Sequence, residues 1–234
     1  MIKLKDYLPD KVYWPIRNFY DNRLNPFYQK SYAQEGEDLV VNALLHEKTK
    51  GFYIDVGAHH PKRFSNTYFF YKLGWQGINI EPRPGSKTIF DRIRPRDINL
   101  EVPISLKEKE LTYYIFNEPA INGFDKQLAE ERDGKNGYKL IDKKKLVAKP
   151  LKRILAENLP NTISIDFMSI DVEGMDLEVL ESNDWSKFRP GLILVEDSNF
   201  NPCECESSKI YKFLSAIDYK FISKTFRTTF YMSL

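Results

Sequence analysis

What constrains this chain most is an alternation of two periods. From residue 51 onward, apolar runs of strand length take turns with segments whose apolar side chains recur at helical spacing. That alternation builds βαβ units, and so an α/β fold around a mainly parallel sheet. The spacing predicts helices over 35–48, 64–73, 84–92, 151–159 and 207–217, with another opening at 176–180. Strands are expected over 51–57, 75–81, 97–104, 111–116, 165–172 and 191–196, and an antiparallel pair, 219–223 and 226–232, closes the chain. Gly74 stands where a helix would stop and Pro84 where one would begin. Residues 117–149 read as a polar insertion without a clear period.

Composition narrows the class. The 234 residues are 42% hydrophobic and 29% charged, a globular profile, and Lys+Arg 35 against Asp+Glu 33 is too balanced for binding nucleic acid through its phosphates. No apolar run is long enough to span a bilayer. No linker or repeat divides the chain, so one domain is expected over 31–234, preceded by an extension, 1–30, packed on the core. Within that extension, 12–28 is rich in Tyr, Trp, Phe and Arg and reads as a strap, the alternative being peripheral contact with a membrane surface. Charges and Pro9 interrupt any secretory signal, and Cys203 and Cys205 are too close in sequence for a disulfide, so a reducing, cytoplasmic setting is expected. Two thiols do not make a zinc tetrad. The lysines of 135–152 read as a solvated hairpin; if it overhung a cleft, it would favour an anionic acceptor. A homodimer is compatible with all of this.

In open α/β sheets ligands sit beyond the carboxyl ends of the strands. The first strand ends Asp55-Val-Gly-Ala-His-His-Pro61, a glycine turn without the G-x-G-x-x-G that cradles a diphosphate. The second ends in Glu81, 24 residues beyond Gly57, where a carboxylate can grip a ribose diol. A tight turn and a ribose acid without a phosphate loop suit a nucleoside carrying no phosphates, of which S-adenosyl-L-methionine is the commonest cofactor.

Six segments in order sharpen this: Tyr32-Ala-Gln-Glu-Gly-Glu-Asp38, Gly51-Phe-Tyr-Ile-Asp-Val-Gly-Ala-His-His-Pro61, Arg63-Phe-Ser-Asn-Thr-Tyr-Phe-Phe70, Gly77-Ile-Asn-Ile-Glu-Pro82, Ser169-Ile-Asp-Val-Glu-Gly174 and Leu194-Val-Glu196. With them the sequence resembles the FkbM-type family of S-adenosylmethionine-dependent methyltransferases, which mainly methylate hydroxyls of sugars and polyketide-linked groups. The resemblance implies a Rossmann-like, seven-stranded, mostly parallel sheet with an antiparallel last strand. It also implies that Asp55, Gly57 and Ala58 flank the methionine part of the cofactor, that Glu81 holds the ribose, and that Gln34 and Asp38 close over the donor. Asp97 would reach the adenine amine. Asn66 and Thr67 match a segment near the active site, although Ser-Asn-Thr is equally suited to capping its own helix.

Methyl transfer to a hydroxyl also needs the acceptor's proton removed. Asp171 and Glu173 end one strand; Glu196 and Asp197 end the next. Carboxylates gathered there would repel one another unless a cation or substrate hydroxyls intervened. Asp171, Glu196 and Asp197 could hold Mg2+ through hard oxygen ligands; the metal-free alternative uses His59 or Glu173 as general base beside Asp171. The expected activity is O-methylation of a carbohydrate hydroxyl. The rivals are a non-sugar or lipid-linked acceptor, or a binding module that has lost turnover.

Overall fold

The computed structural model describes residues 5, 7–24, 27–160 and 163–234. They fall into two compact units, Met1–Lys30 and Ser31–Leu234. In the first, helix α1 (Asp10–Phe19) continues into a π-helical turn, Tyr20–Leu24, and none of its residues is buried. No helix among the described residues is long and apolar enough to cross a membrane.

The second unit is built on a seven-stranded sheet. Its strands are β1 (Phe52–Val56), β2 (Gln76–Ile80), β3 (Ile98–Leu100), β6 (Phe167–Ile170), β7 (Leu192–Glu196), β8 (Tyr219–Lys224) and β9 (Thr228–Ser233), in the order β3-β2-β1-β6-β7-β9-β8. All neighbours pair in parallel except around β9, which runs antiparallel to both β7 and β8. This is the expected sheet, with the antiparallel strand last in the chain. Every residue of β1 and β6 is buried, as befits parallel strands covered on both faces. Side chains alternate between two cores: Ile54, Met168, Ile193 and Val195 pack on one face, and Tyr53, Phe167, Leu192 and Leu194 on the other.

The chain steps outward from β1 to β2 and β3, then returns to lay β6 on the opposite side of β1. That reversal leaves a crevice at the carboxyl ends of β1 and β6. Between β3 and β6 lies the stretch without a clear period. It supplies β5 (Leu140–Ala148), which pairs antiparallel with the expected strand just before it, β4 (Lys109–Phe116), and between those strands a 3-10 turn, Pro119–Ile121, and helix α5 (Lys126–Arg132), capped by Asp125. The lysine-rich stretch is therefore not a hairpin by itself. Lys143, Lys144 and Lys145 sit on β5 opposite Tyr114, Tyr113 and Thr112 of β4.

Two helices are shorter than their apolar patterns. Helix α2 covers Glu37–Leu44, because Gly36 turns at φ 86° and the chain before it is tied down by Asp38. Helix α3 covers Tyr68–Lys72, preceded by a turn in which Phe64 takes φ 57° and Ser65 accepts from the backbone N–H of Tyr68.

Candidate functional site

The crevice is floored by the turn after β1. Val56 hands over to Gly57, whose amide donates to Ile80 O at 2.9 Å, and Ala58 N follows at 3.2 Å. Gly57 has φ 78°, and a Cβ there would lie 1.7 Å from the Asp171 carbonyl oxygen, so only glycine lets β1 and β6 close this corner. Asp55, Gly57, Ala58, His59, Asn66, Glu81, Asp171 and Glu173 all line one cleft. The last described part of its wall is a roof from the insertion: Tyr113, Pro119, Ala120, Asn122, Gly123 and Phe124.

Glu81 follows β2. Its Oε2 accepts from His59 N at 2.7 Å and its Oε1 from Arg83 N at 2.9 Å, which fixes the carboxylate while leaving each oxygen a further lone pair. Burial pushes its pKa from 4.5 up to about 7, against the two backbone donors, which favour the charge. Asp55 accepts from Thr67 Oγ1 at 2.5 Å; burial raises its pKa, and the Arg94 guanidinium opposes the rise. His59 takes φ 49°, stacks on Phe64, and has its pKa lowered to about 4 by burial and by Arg63 and Arg83.

At the end of β6 the acids gather. Asp171 opens onto the cleft, yet protein encloses that cleft so closely that its pKa is well above the ordinary range, first from desolvation and then from Glu196, Asp176 and Glu173. Glu196 is the first of these neighbouring acids, and its negative charge opposes ionisation of Asp171. Glu173 takes φ 54° and receives Arg132 Nη2 at 2.9 Å; burial raises its pKa and Arg132 resists. Arg132 also donates to Ile121 O at 3.2 Å, which ties α5 and the roof to the β6 end. Asp176 closes the turn by accepting from Val172 N and Gly174 N, and burial lifts its pKa to about 7.

Several expected residues stand elsewhere. Asp97 does not reach the cleft. It is buried below, where its carboxylate takes Arg94 Nε at 2.8 Å, Tyr53 OH at 2.7 Å, Asn79 Nδ2 at 2.9 Å and Gly77 N at 3.0 Å, leaving nothing for an adenine amine. Thr67 is likewise beneath the floor, bridging Arg94 Nη2 and Asp55. Asp38 is fully buried and holds Ser31 Oγ and Tyr32 N, whereas Gln34, Glu35 and Glu37 line the cleft. Asn66 faces the cleft and donates to Ser169 Oγ at 3.0 Å.

The proposed magnesium triad is not assembled. Successive residues at a strand end point to opposite sides, so Asp197 turns to Ser208 Oγ at 2.6 Å, while Glu196 leans toward Asp171. Among the described residues no three His, Cys, Asp or Glu side chains converge in a metal-holding group.

Sequence reasoning missed Arg94, which is fully buried and joins Asp97, Tyr53 and Thr67 beneath the cleft. Its three-residue spacing from Asp97 on the turn before β3 was the available signal. The roof residues could not be found while the insertion had no period to read.

Fold and cleft together define a Rossmann-like enzyme domain with its ligand site at the topological switch. The model of the methyltransferase FkbM domain matches residues 55–221, more than half of the chain. The chain belongs to that family, and methyl transfer is its class of activity. No curated protein matches it. Among solved structures it is similar to a precorrin-6y C5,15-methyltransferase from Geobacter metallireducens, at 13% identity and TM-score 0.46, over 92% of this chain and 96% of that one. It is also similar to an O-methyltransferase from Bacillus cereus in complex with SAH, at 8% identity and TM-score 0.45, over 97% and 92%.

Proposed function

We propose that the protein transfers a methyl group from S-adenosyl-L-methionine to a hydroxyl of a carbohydrate. The observation that carries the reading is that Asp55, Gly57 and Glu81 share one cleft with Asp171 and Glu173. The residues present suit the cofactor. Glu81 keeps an unused lone pair on each oxygen for a ribose diol, the glycine turn admits close backbone approach, and the carboxylates favour a positive sulfur.

When bound, the cofactor supplies an electrophilic methyl group on a sulfonium. Asp55, Gly57 and Glu81 would hold the cofactor, and Asp171 would take the proton of an acceptor hydroxyl as its oxygen replaced sulfur on the methyl carbon. Holding the acceptor in line contributes about 7–11 kcal/mol toward the barrier in well-oriented systems. Asp171, whose pKa burial and the neighbouring acids raise, would hold a transferred proton better than His59, whose pKa is lowered to about 4. His59 serves instead through its backbone N–H on Glu81 and its ring on Phe64. Support for a carbohydrate acceptor comes from the mixture of carboxylates with apolar and aromatic residues, Phe64 and Phe124 among them, in the same lining, which suits a ligand bearing both hydroxyls and C–H groups.

The test is a screen of nucleotide sugars and glycan fragments with a labelled methyl donor, with mass spectrometry to locate the label. A methylated sugar oxygen is the expected result. Turnover confined to nitrogen or carbon acceptors would overturn it.

A further inference from the structure

Helix α1 presents an apolar row to solvent. From Val12, the residues four, seven and eight positions on are Ile16, Phe19 and Tyr20, a spacing that puts all four on one face. They and Leu24, at the end of the π-helical turn, are between 45% and 63% exposed, and no residue of Asp10–Leu24 is buried. The opposite face carries Asp10, Lys11, Arg17 and Asn18. Trp14 stands among these polar residues, edge-on to the Tyr13 ring and with Lys5 Nζ 5.2 Å from its own centroid. A helix with one apolar and one polar face is ordinarily seated on a core. Large apolar side chains left in a row in water mark an interaction surface instead.

Charge, shape and side-chain type together decide what that surface meets. Residues 1–30 carry six Lys or Arg and three Asp, whereas the rest of the chain carries 29 Lys or Arg against 30 Asp or Glu, so the positive excess lies wholly in this extension. A second copy would bring the same excess and meet repulsion, while an anionic surface is attracted. In shape, α1 is a convex cylinder about 15 Å long, which offers no groove to a peptide and is too short to cross a bilayer core of about 30 Å. In type, the row mixes aliphatic and aromatic side chains, and Tyr13, Trp14 and Tyr20 each join an apolar ring to a polar tip, which suits the boundary between headgroups and acyl chains.

We infer that residues 10–24 are an interfacial anchor for an anionic lipid bilayer. Helix α1 lies in the plane of the membrane, with Val12, Ile16, Phe19 and Tyr20 entering the headgroup boundary and the long side chains of Lys11 and Arg23 reaching back to the phosphates. One short helix with a small positive excess gives reversible attachment that salt weakens. The anchor is separate from the cleft, so it stands or falls independently of methyl transfer.

The test is sedimentation of the full chain with vesicles of phosphatidylcholine alone and of phosphatidylcholine with an equal part of phosphatidylglycerol, at low and at physiological salt. Wild type should partition onto the anionic vesicles at least about tenfold more strongly than onto the neutral ones, and less so as salt rises. Ile16→Gln combined with Phe19→Gln removes apolar bulk without changing charge and should weaken partition by at least about tenfold. Lys11→Gln combined with Arg23→Gln should lose most of the preference for the anionic vesicles. All four side chains are exposed, so thermal midpoints should stay at the wild-type value, and light scattering on each protein reports its oligomeric state. Wild type left in the supernatant of anionic vesicles would overturn the inference. So would undiminished binding by the Ile16→Gln, Phe19→Gln chain, which would move the contact to another surface such as the lysines of β5. A lipid-free dimer that the same pair of substitutions splits would also overturn it, by making the row a contact between copies.

Discussion

Glu81 offers the sharpest test of the cofactor reading, because its charge state is poised. Burial lifts its pKa from 4.5 to about 7, and the two backbone donors on its oxygens hold it where a ribose diol would meet it. A diol donates hydrogen bonds, so it prefers the ionised carboxylate, and ligand affinity rises with pH as Glu81 loses its proton. With a pKa of about 7, about a tenth of the molecules carry the anion at pH 6 and about nine-tenths at pH 8. A ligand requiring the anion therefore binds about tenfold more tightly at the higher pH, close to 1.4 kcal/mol. Asp176 titrates in the same range and Asp171 is also raised, so the measurement is a comparison. Calorimetry with S-adenosylhomocysteine at both pH values, on wild type and on Glu81→Gln, isolates the part of the slope that Glu81 contributes. Stability moves the other way. Between 4.5 and about 7 the folded chain holds the Glu81 proton more tightly than the unfolded chain, so unfolding free energy falls as pH rises, by up to about 3 kcal/mol, and Glu81→Gln flattens that fall. If the variant bound with the same pH slope as wild type, Glu81 would not be the ribose ligand.

Other perturbations address separate parts of the cleft. Arg94→Met should lower stability by about 3–5 kcal/mol, because it leaves the buried Asp97 carboxylate without its cation; urea unfolding reads this, and a loss under about 1 kcal/mol would contradict the network. Asp171→Asn should retain S-adenosylhomocysteine binding and lose about 100- to 10,000-fold in turnover, the usual span for a general base; near-normal turnover would reassign the base. Turnover should survive exhaustive EDTA treatment, since Asp197 is turned away to Ser208; loss that added Mg2+ restores would revive a metal role. Glu173→Gln removes the charge that Arg132 meets at 2.9 Å, so protease cleavage within 117–137 should quicken while the core stays folded; an unchanged cleavage rate would show the roof to be held by other contacts.

The main sheet was legible because its strands are buried on both faces and carry uninterrupted apolar runs, as in Leu192–Glu196. Strand ends were legible for the same reason: acid or glycine right after such a run stands out. Asp55, Gly57, Glu81 and Asp171 all converge on one cleft, as their positions suggested. Asp97 misled because an acid near the start of a strand looks the same whether it faces a ligand or a buried guanidinium. Only the fold brings Arg94, Tyr53 and Asn79 to it, from three different elements. The roof was illegible for another reason. Strand β5 pairs Lys143 with Tyr114 but is itself exposed along most of its length, so it lacks the alternation that announces a half-buried strand, whereas β4, which buries Tyr113, Tyr114 and Phe116, was expected over 111–116. Its contribution to the cleft depends on where the ribbon folds back, which local spacing does not encode.

Charge distribution links the two halves of the cleft. Asp55, Glu81, Asp171 and Glu173 all have pKa values raised first by burial, and Asp171 is raised further by Glu196, Asp176 and Glu173. Left alone, burial and the crowding acids at the β6 end favour the protonated form of Asp171, which makes it a poor acceptor. A cation placed next to them lowers their pKa values, so under the proposed reading a sulfonium both delivers the methyl group and returns Asp171 to its basic form. When the methyl group leaves, the sulfur becomes neutral and the acceptor's proton arrives at the carboxylates, so the charge inside the cleft is the same before and after. That proton is favoured where acids crowd together. At His59 it would meet burial and then Arg63 and Arg83, which together already hold that imidazole near 4. Under the proposed reading, the same environment that denies His59 a proton and crowds Asp171 with acids favours a base at the end of β6.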